Sequence, residues 1–148
     1  DDNPKIFNKN TQVYVLRNQA KVGVGFPSKS TMFFPDFIIW IIQDSVQHIV
    51  FLEPHSTVYK DAGDIRESHK YALAKEIRDY QERLQLKYPQ YRFTLHSFII
   101  DVTHQETLPG GVEEKNIFGQ DPKGRYIEKI FKRVLEPKPS INSVKTGG

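Results

Sequence analysis

The feature that most constrains the fold of this chain is a pair of apolar runs. Phe33-Phe34-Pro35-Asp36-Phe37-Ile38-Ile39-Trp40-Ile41-Ile42 and His48-Ile49-Val50-Phe51-Leu52-Glu53-Pro54-His55 are separated only by Gln43-Asp44-Ser45-Val46-Gln47. Runs rich in Ile, Val, Phe and Trp favour strands, and so short a connection between them predicts a β-hairpin. With Asp44-Ser45 as the turn, Gln43 lies opposite Val46, and the same pairing carried outward sets Asp36 opposite Glu53. Directly opposed residues have Cβ atoms roughly 4.5–5.5 Å apart, so two like charges there destabilise the pair. Alternation puts His55 on the face of Glu53, together with Ile38 and Trp40 of the neighbouring strand. Both faces of the hairpin are apolar, which predicts an interior position with helices on either side.

Two carboxylates placed so close share a proton or hold a cation. Oxygen ligands converging from adjacent strands suit a hard divalent ion such as Mg²⁺. The plainer alternative is a pair of solvent-facing strand ends, where acids are common, and a lone histidine is more often structural than a ligand. The chain has no cysteine among its 148 residues. Disulfides and thiolate metal sites are therefore excluded, and carboxylate and imidazole remain as the ligand chemistry.

Pro35-Asp36, sixteen intervening residues, and Glu53-Pro54-His55 resemble the PD-(D/E)XK nuclease signature, with histidine where that family usually has lysine. The fuller wording, Phe34 to Trp40 and Ile49 to Ser56, is similar to the C-terminal nuclease domain of type III restriction subunits and their helicase-linked relatives. It departs from them at Ser56, where that domain has glycine. The resemblance runs from about Val13 to Leu135. It implies an α/β fold with a restriction-endonuclease-like core, a central mixed β-sheet flanked by helices. It also implies Mg²⁺-dependent endonuclease activity on DNA, with Mn²⁺ as a substitute, and Asp36, Glu53 and His55 as catalytic residues. Asp36, Glu53 and the carbonyl of Pro54 would be the metal ligands. Partner domains implied are a helicase or translocase and a modification subunit. In that family a further helix precedes the first strand, and its absence here leads to the expectation of an excised domain, or of one that borrows its first helix from elsewhere.

The remainder of the chain is read from its own residues. Gln12 to Arg17 forms a first strand, and Lys21 to Phe26 continues it or makes an edge strand bent at Gly23 and Gly25. No helix pattern follows those glycines and no Walker-type motif occurs, so no ATP site is expected within the chain. Ser28 to Thr31 is a turn-rich linker. After a loop, a long helix is predicted from about Asp64 to Lys87, with Leu73, Ile77, Tyr80 and Leu84 in its apolar stripe. Tyr91 to Ile100 is a strong strand, connected to the hairpin by a crossover long enough for parallel pairing. Asp101 to Lys115 is a loop, Asn116 to Phe118 a short edge strand, and Pro122 to Leu135 a final helix buried through Ile127, Ile130, Phe131, Val134 and Leu135. Residues 1–136 are expected to form one nuclease domain, and residues 137–148 a disordered tail.

A formal charge of +3 and a pI near 9.0 are compatible with nucleic acid without pointing to it. Lys29, ahead of the acid hairpin, and Arg66 and Lys70, on the first turns of the long helix, are candidates for phosphate contacts; simple solvation is the competing reading of each. No apolar run approaches the 18 or so residues needed to span a bilayer, and a cytoplasmic location is expected. Two other functions suit the same residues. A degenerate nuclease fold would bind DNA or protein without cutting, and imidazole with two carboxylates would also hold a transition metal for another hydrolysis.

Overall fold

The computed structural model describes residues 6–28, 31–55, 69–101, 117–119 and 125–136. Within them the hairpin forms as expected. β4 (Phe37–Gln43) pairs antiparallel with β5 (Val46–His55), from Gln43 opposite Val46 to Phe37 opposite Leu52. The earlier strands are β1 (Gln12–Arg17), β2 (Phe26–Ser28) and β3 (Thr31–Phe33). Asp44 and Ser45 have φ of 52° and 62°, the pair of left-handed residues that a two-residue turn needs to match the strand twist. Serine tolerates this region poorly, because its Cβ crowds the following carbonyl. Ser45→Gly is expected to stabilise the protein by about 0.5–1 kcal/mol, read as a rise in melting temperature; an unchanged or lower value contradicts the turn assignment.

The main sheet has the order β1-β4-β5-β6-β7, with β6 at Phe93–Asp101 and β7 at Ile117–Gly119. β1, β4 and β5 are antiparallel neighbours, whereas β6 lies parallel to β5 and β7 parallel to β6. Parallel pairing of β5 and β6 requires a crossover, and α1 (His69–Lys87) lies within it. α2 is Tyr126–Leu135. The architecture is therefore mixed α/β, a central mixed sheet with a helix packed on each face.

Residue parity divides the core in two. Ile39, Ile41, Val50, Leu52, Phe98 and Ile100 face α2, where Ile130 and Val134 close the layer and Ile127, Phe131 and Leu135 pack around it. Ile38, Phe51 and Leu95 face α1, meeting Leu73 and Ile77, with Phe26 of β2 filling the space beside Tyr80. The rings of Phe26 and Phe51 meet edge to face at 4.7 Å.

Three expectations change. Lys21 to Gly25 form a turn rather than a strand, and β2 instead pairs with β3 in a separate two-stranded ribbon that includes Ser28 and Thr31, residues expected in a linker. Asn18 holds this excursion together: its Nδ2 donates to the carbonyls of Val24 and Pro35, both at 2.8 Å, and its Oδ1 accepts from the Val24 amide. Gly25 is needed because a Cβ there would lie 2.7 Å from the Phe34 ring. Trp40, expected inside, is 41% exposed, as is its register partner Tyr14 on the outer strand β1 at 58%. Leu84, expected in the buried stripe of α1, is 38% exposed and lines an apolar cleft with Ile49, Phe93 and Leu95. The beginning of the long helix before His69, the loops, Pro122 and the tail 137–148 lie outside the described residues.

Candidate functional site

At Leu52 the pairing of β4 with β5 ends, while β5 continues beside β6 as far as His55. Glu53-Pro54-His55 thus stand where one side of β5 carries no ladder, a position that tolerates proline in a sheet interior. Glu53 is 6% exposed. Its Oε2 accepts the backbone amide of Asp36 at 3.0 Å, and the Asp36 carbonyl accepts the Asn18 amide at 2.8 Å. Asp36 itself is exposed and occupies a bend just before β4. The expected register therefore brings Asp36 to Glu53, but the contact observed is main-chain amide to carboxylate. The chain bends at Asp36, whose main-chain amide donates to the Glu53 carboxylate. A buried carboxylate held by a main-chain donor is also what a purely structural glutamate requires.

Pro54 is partly buried and is the register partner of Ile100, and the main chain of His55 is paired with that of Asp101 on β6. Asp101 was assigned to a loop by its sequence. Its place became predictable only from parallel pairing, which gathers the carboxyl ends of β5 and β6 at one edge of the sheet. Lys70 lies in the first turn of α1, whereas Lys29 and Arg66 are outside the described residues. Among the described residues, no group of three or more His, Asp or Glu side chains is arranged to hold a metal. The oxygen donors of Asp36 and Glu53 are nevertheless of the type that Mg²⁺ prefers.

Two other features lie at the opposite end of β5. An apolar cleft of about 340 Å³ is lined by Gln47, Ile49, Leu84, Tyr88, Tyr91, Phe93 and Leu95; without a carboxylate or imidazole it offers no hydrolytic chemistry. On the α2 side, Thr94 Oγ1 lies 2.7 Å from His48 Nδ1 and 2.8 Å from His96 Nε2. The spacing of these residues on two parallel strands was not recognised from sequence, since each looks like an isolated polar residue in an apolar run.

Partial burial lowers the pKa of His48 from its ordinary value of 6.5, since desolvation disfavours the imidazolium. The unfolded chain then binds a proton that the folded chain refuses. This contribution to stability is fully present above pH 6.5 and is lost as the pH falls through the lowered folded value. His48→Gln keeps a hydrogen-bonding partner for Thr94 and is expected to make the melting temperature less dependent on pH between 6.5 and the onset of acid unfolding. An equally steep profile in the variant excludes this origin.

Compared with family models, with curated proteins and with solved structures, the chain matches none. No helix among the described residues is long and apolar enough to cross a membrane.

Proposed function

We propose that this chain is a metal-dependent endonuclease domain that hydrolyses phosphodiester bonds in DNA, built on a restriction-endonuclease-like core and belonging to a type III-like restriction subunit. The observation that carries this reading is the meeting of Asp36 and Glu53 at the open end of a mixed α/β sheet. A Mg²⁺ or Mn²⁺ ion held by Asp36, Glu53 and the Pro54 carbonyl would neutralise charge building on the phosphate oxygens and activate water. Burial of Glu53 fixes one carboxylate against the sheet, while exposure of Asp36 leaves the other open to solvent. His55 in the usual lysine position would donate a hydrogen bond when protonated and accept a proton when neutral. Lys29, Arg66 and Lys70 supply phosphate contacts. Helicase and modification functions belong to other domains or subunits.

A second reading has its own support: His55 lacks the permanent charge of lysine, and Glu53 already serves the Asp36 amide. In that reading the domain binds DNA or a protein partner without cutting. Incubation with supercoiled and linear DNA in the presence of Mg²⁺, Mn²⁺ or chelator separates the two. Ion-dependent cleavage supports the nuclease, and binding without cleavage under every ion leaves the non-catalytic module.

A further inference from the structure

Among the described residues β1 forms one edge of the main sheet, and it is exposed along its whole length. Val13, Tyr14, Val15 and Leu16 are 40%, 58%, 67% and 59% exposed. Val13 and Val15 lie on one face, Tyr14 and Leu16 on the other beside Trp40, which is the register partner of Tyr14. Natural edge strands are blunted by lysine, proline, a bulge or a covering loop. The segment from Gln12 to Leu16 contains neither charge nor proline.

The hydrogen-bonding phase of this edge follows from two observations. The two-residue turn makes Gln43 and Val46 a hydrogen-bonded pair, so the odd-numbered residues of β4 bond to β5 and the even-numbered ones to β1. Independently, the Asn18 amide donates to the Asp36 carbonyl, continuing that pattern beyond the strand. The even-numbered residues of β1 thus face β4. The amides and carbonyls of Val13, Val15 and Arg17 point away from the sheet.

We propose that β1 pairs antiparallel with β1 of a second copy about a two-fold axis at Val15, joining the two sheets into one. In this register Val15 faces the partner's Val15, Val13 faces the partner's Arg17, and Tyr14 faces the partner's Leu16. Every outward amide and carbonyl of the strand is used, and no charge opposes a like charge. Shifting the axis to Tyr14 leaves Arg17 outside the strand overlap and pairs Gln12 with Leu16. A strand apolar on both faces needs a partner that is apolar on both faces, and this chain carries one at the same edge. The other edge, β7, is only three residues long, too short to use the outward groups of β1. A single strand pair is a small contact beside the ~800 Å² per partner of a typical stable interface, so the dimer is expected to form reversibly and in a concentration-dependent manner.

The absence of cysteine makes the test direct. In a hydrogen-bonded antiparallel pair the Cα atoms are about 5.5 Å apart, within the roughly 4.4–6.8 Å that a disulfide spans. Val15→Cys is expected to form a disulfide dimer on mild oxidation, whereas Tyr14→Cys, two residues out of register with its own copy, is not. Sedimentation of the unmodified chain is expected to show a reversible monomer–dimer equilibrium. Val15→Pro removes an amide that points outward and spares the β4 ladder; it is expected to weaken dimerisation at least about tenfold while cooperative melting persists. Val15→Lys gives the same result without altering the backbone. A monomer at all concentrations, equal cross-linking of the two cysteine variants, or open-ended polymer overturns the proposal.

Discussion

Glu53→Gln is expected to reduce divalent-ion-dependent DNA cleavage by at least about 100-fold, the usual scale for removing a principal stabiliser of developing charge, while the fold survives. The amide oxygen of glutamine can still accept the Asp36 N–H bond that Oε2 now accepts at 3.0 Å, and its volume is nearly that of glutamate. The negative charge is removed, and one acceptor oxygen is replaced by an amide NH₂ donor. Asp36→Asn should be equally inactive. Because Asp36 is exposed, the variant should melt no lower than the parent in chelator. Mn²⁺ should raise the melting temperature of the parent, since only the folded state presents both ligands, and should fail to do so for either variant. Cleavage at parental rates by Glu53→Gln eliminates this residue from the chemistry. A parent that neither cleaves nor responds to the ion leaves the non-catalytic reading.

Ile130→Ala is expected to cost about 2–5 kcal/mol of stability. Ile130 is fully buried on α2, between the helix and Ile41, Val50 and Phe98 of the sheet. Truncation removes buried methyl and methylene groups and leaves a cavity that close-packed neighbours fill only in part. The higher helix propensity of alanine returns less than 1 kcal/mol. Leu86→Ala is the control, since Leu86 is 84% exposed on α1, and a change within about 0.5 kcal/mol is expected. Denaturant unfolding of both variants gives the comparison. Similar small losses would mean that α2 does not dock on this face.

Local signals in the sequence determined the hairpin completely. Two short runs rich in Ile and Val supply the strands, and the two-residue turn at Asp44-Ser45 sets their register by placing Gln43 opposite Val46. The same local logic located α2, whose apolar stripe at helical spacing matches the side chains that pack against the sheet, and it brought Asp36 beside Glu53. Packing decided the rest. Whether Trp40 and Leu84 are covered depends on how elements distant in sequence pack on one another. Whether Phe26 belongs to the main sheet or to a separate ribbon depended on space beside Phe51 and Tyr80. The pairing of His55 with Asp101 and the contact of His48 with Thr94 arise only from the parallel register of β5 and β6, whereas the Thr94–His96 contact is local to β6. Alternation and turn chemistry act over a few residues and are written in the chain. Register between strands joined by a long crossover is set by the burial of both faces at once, and that is a property of the folded structure.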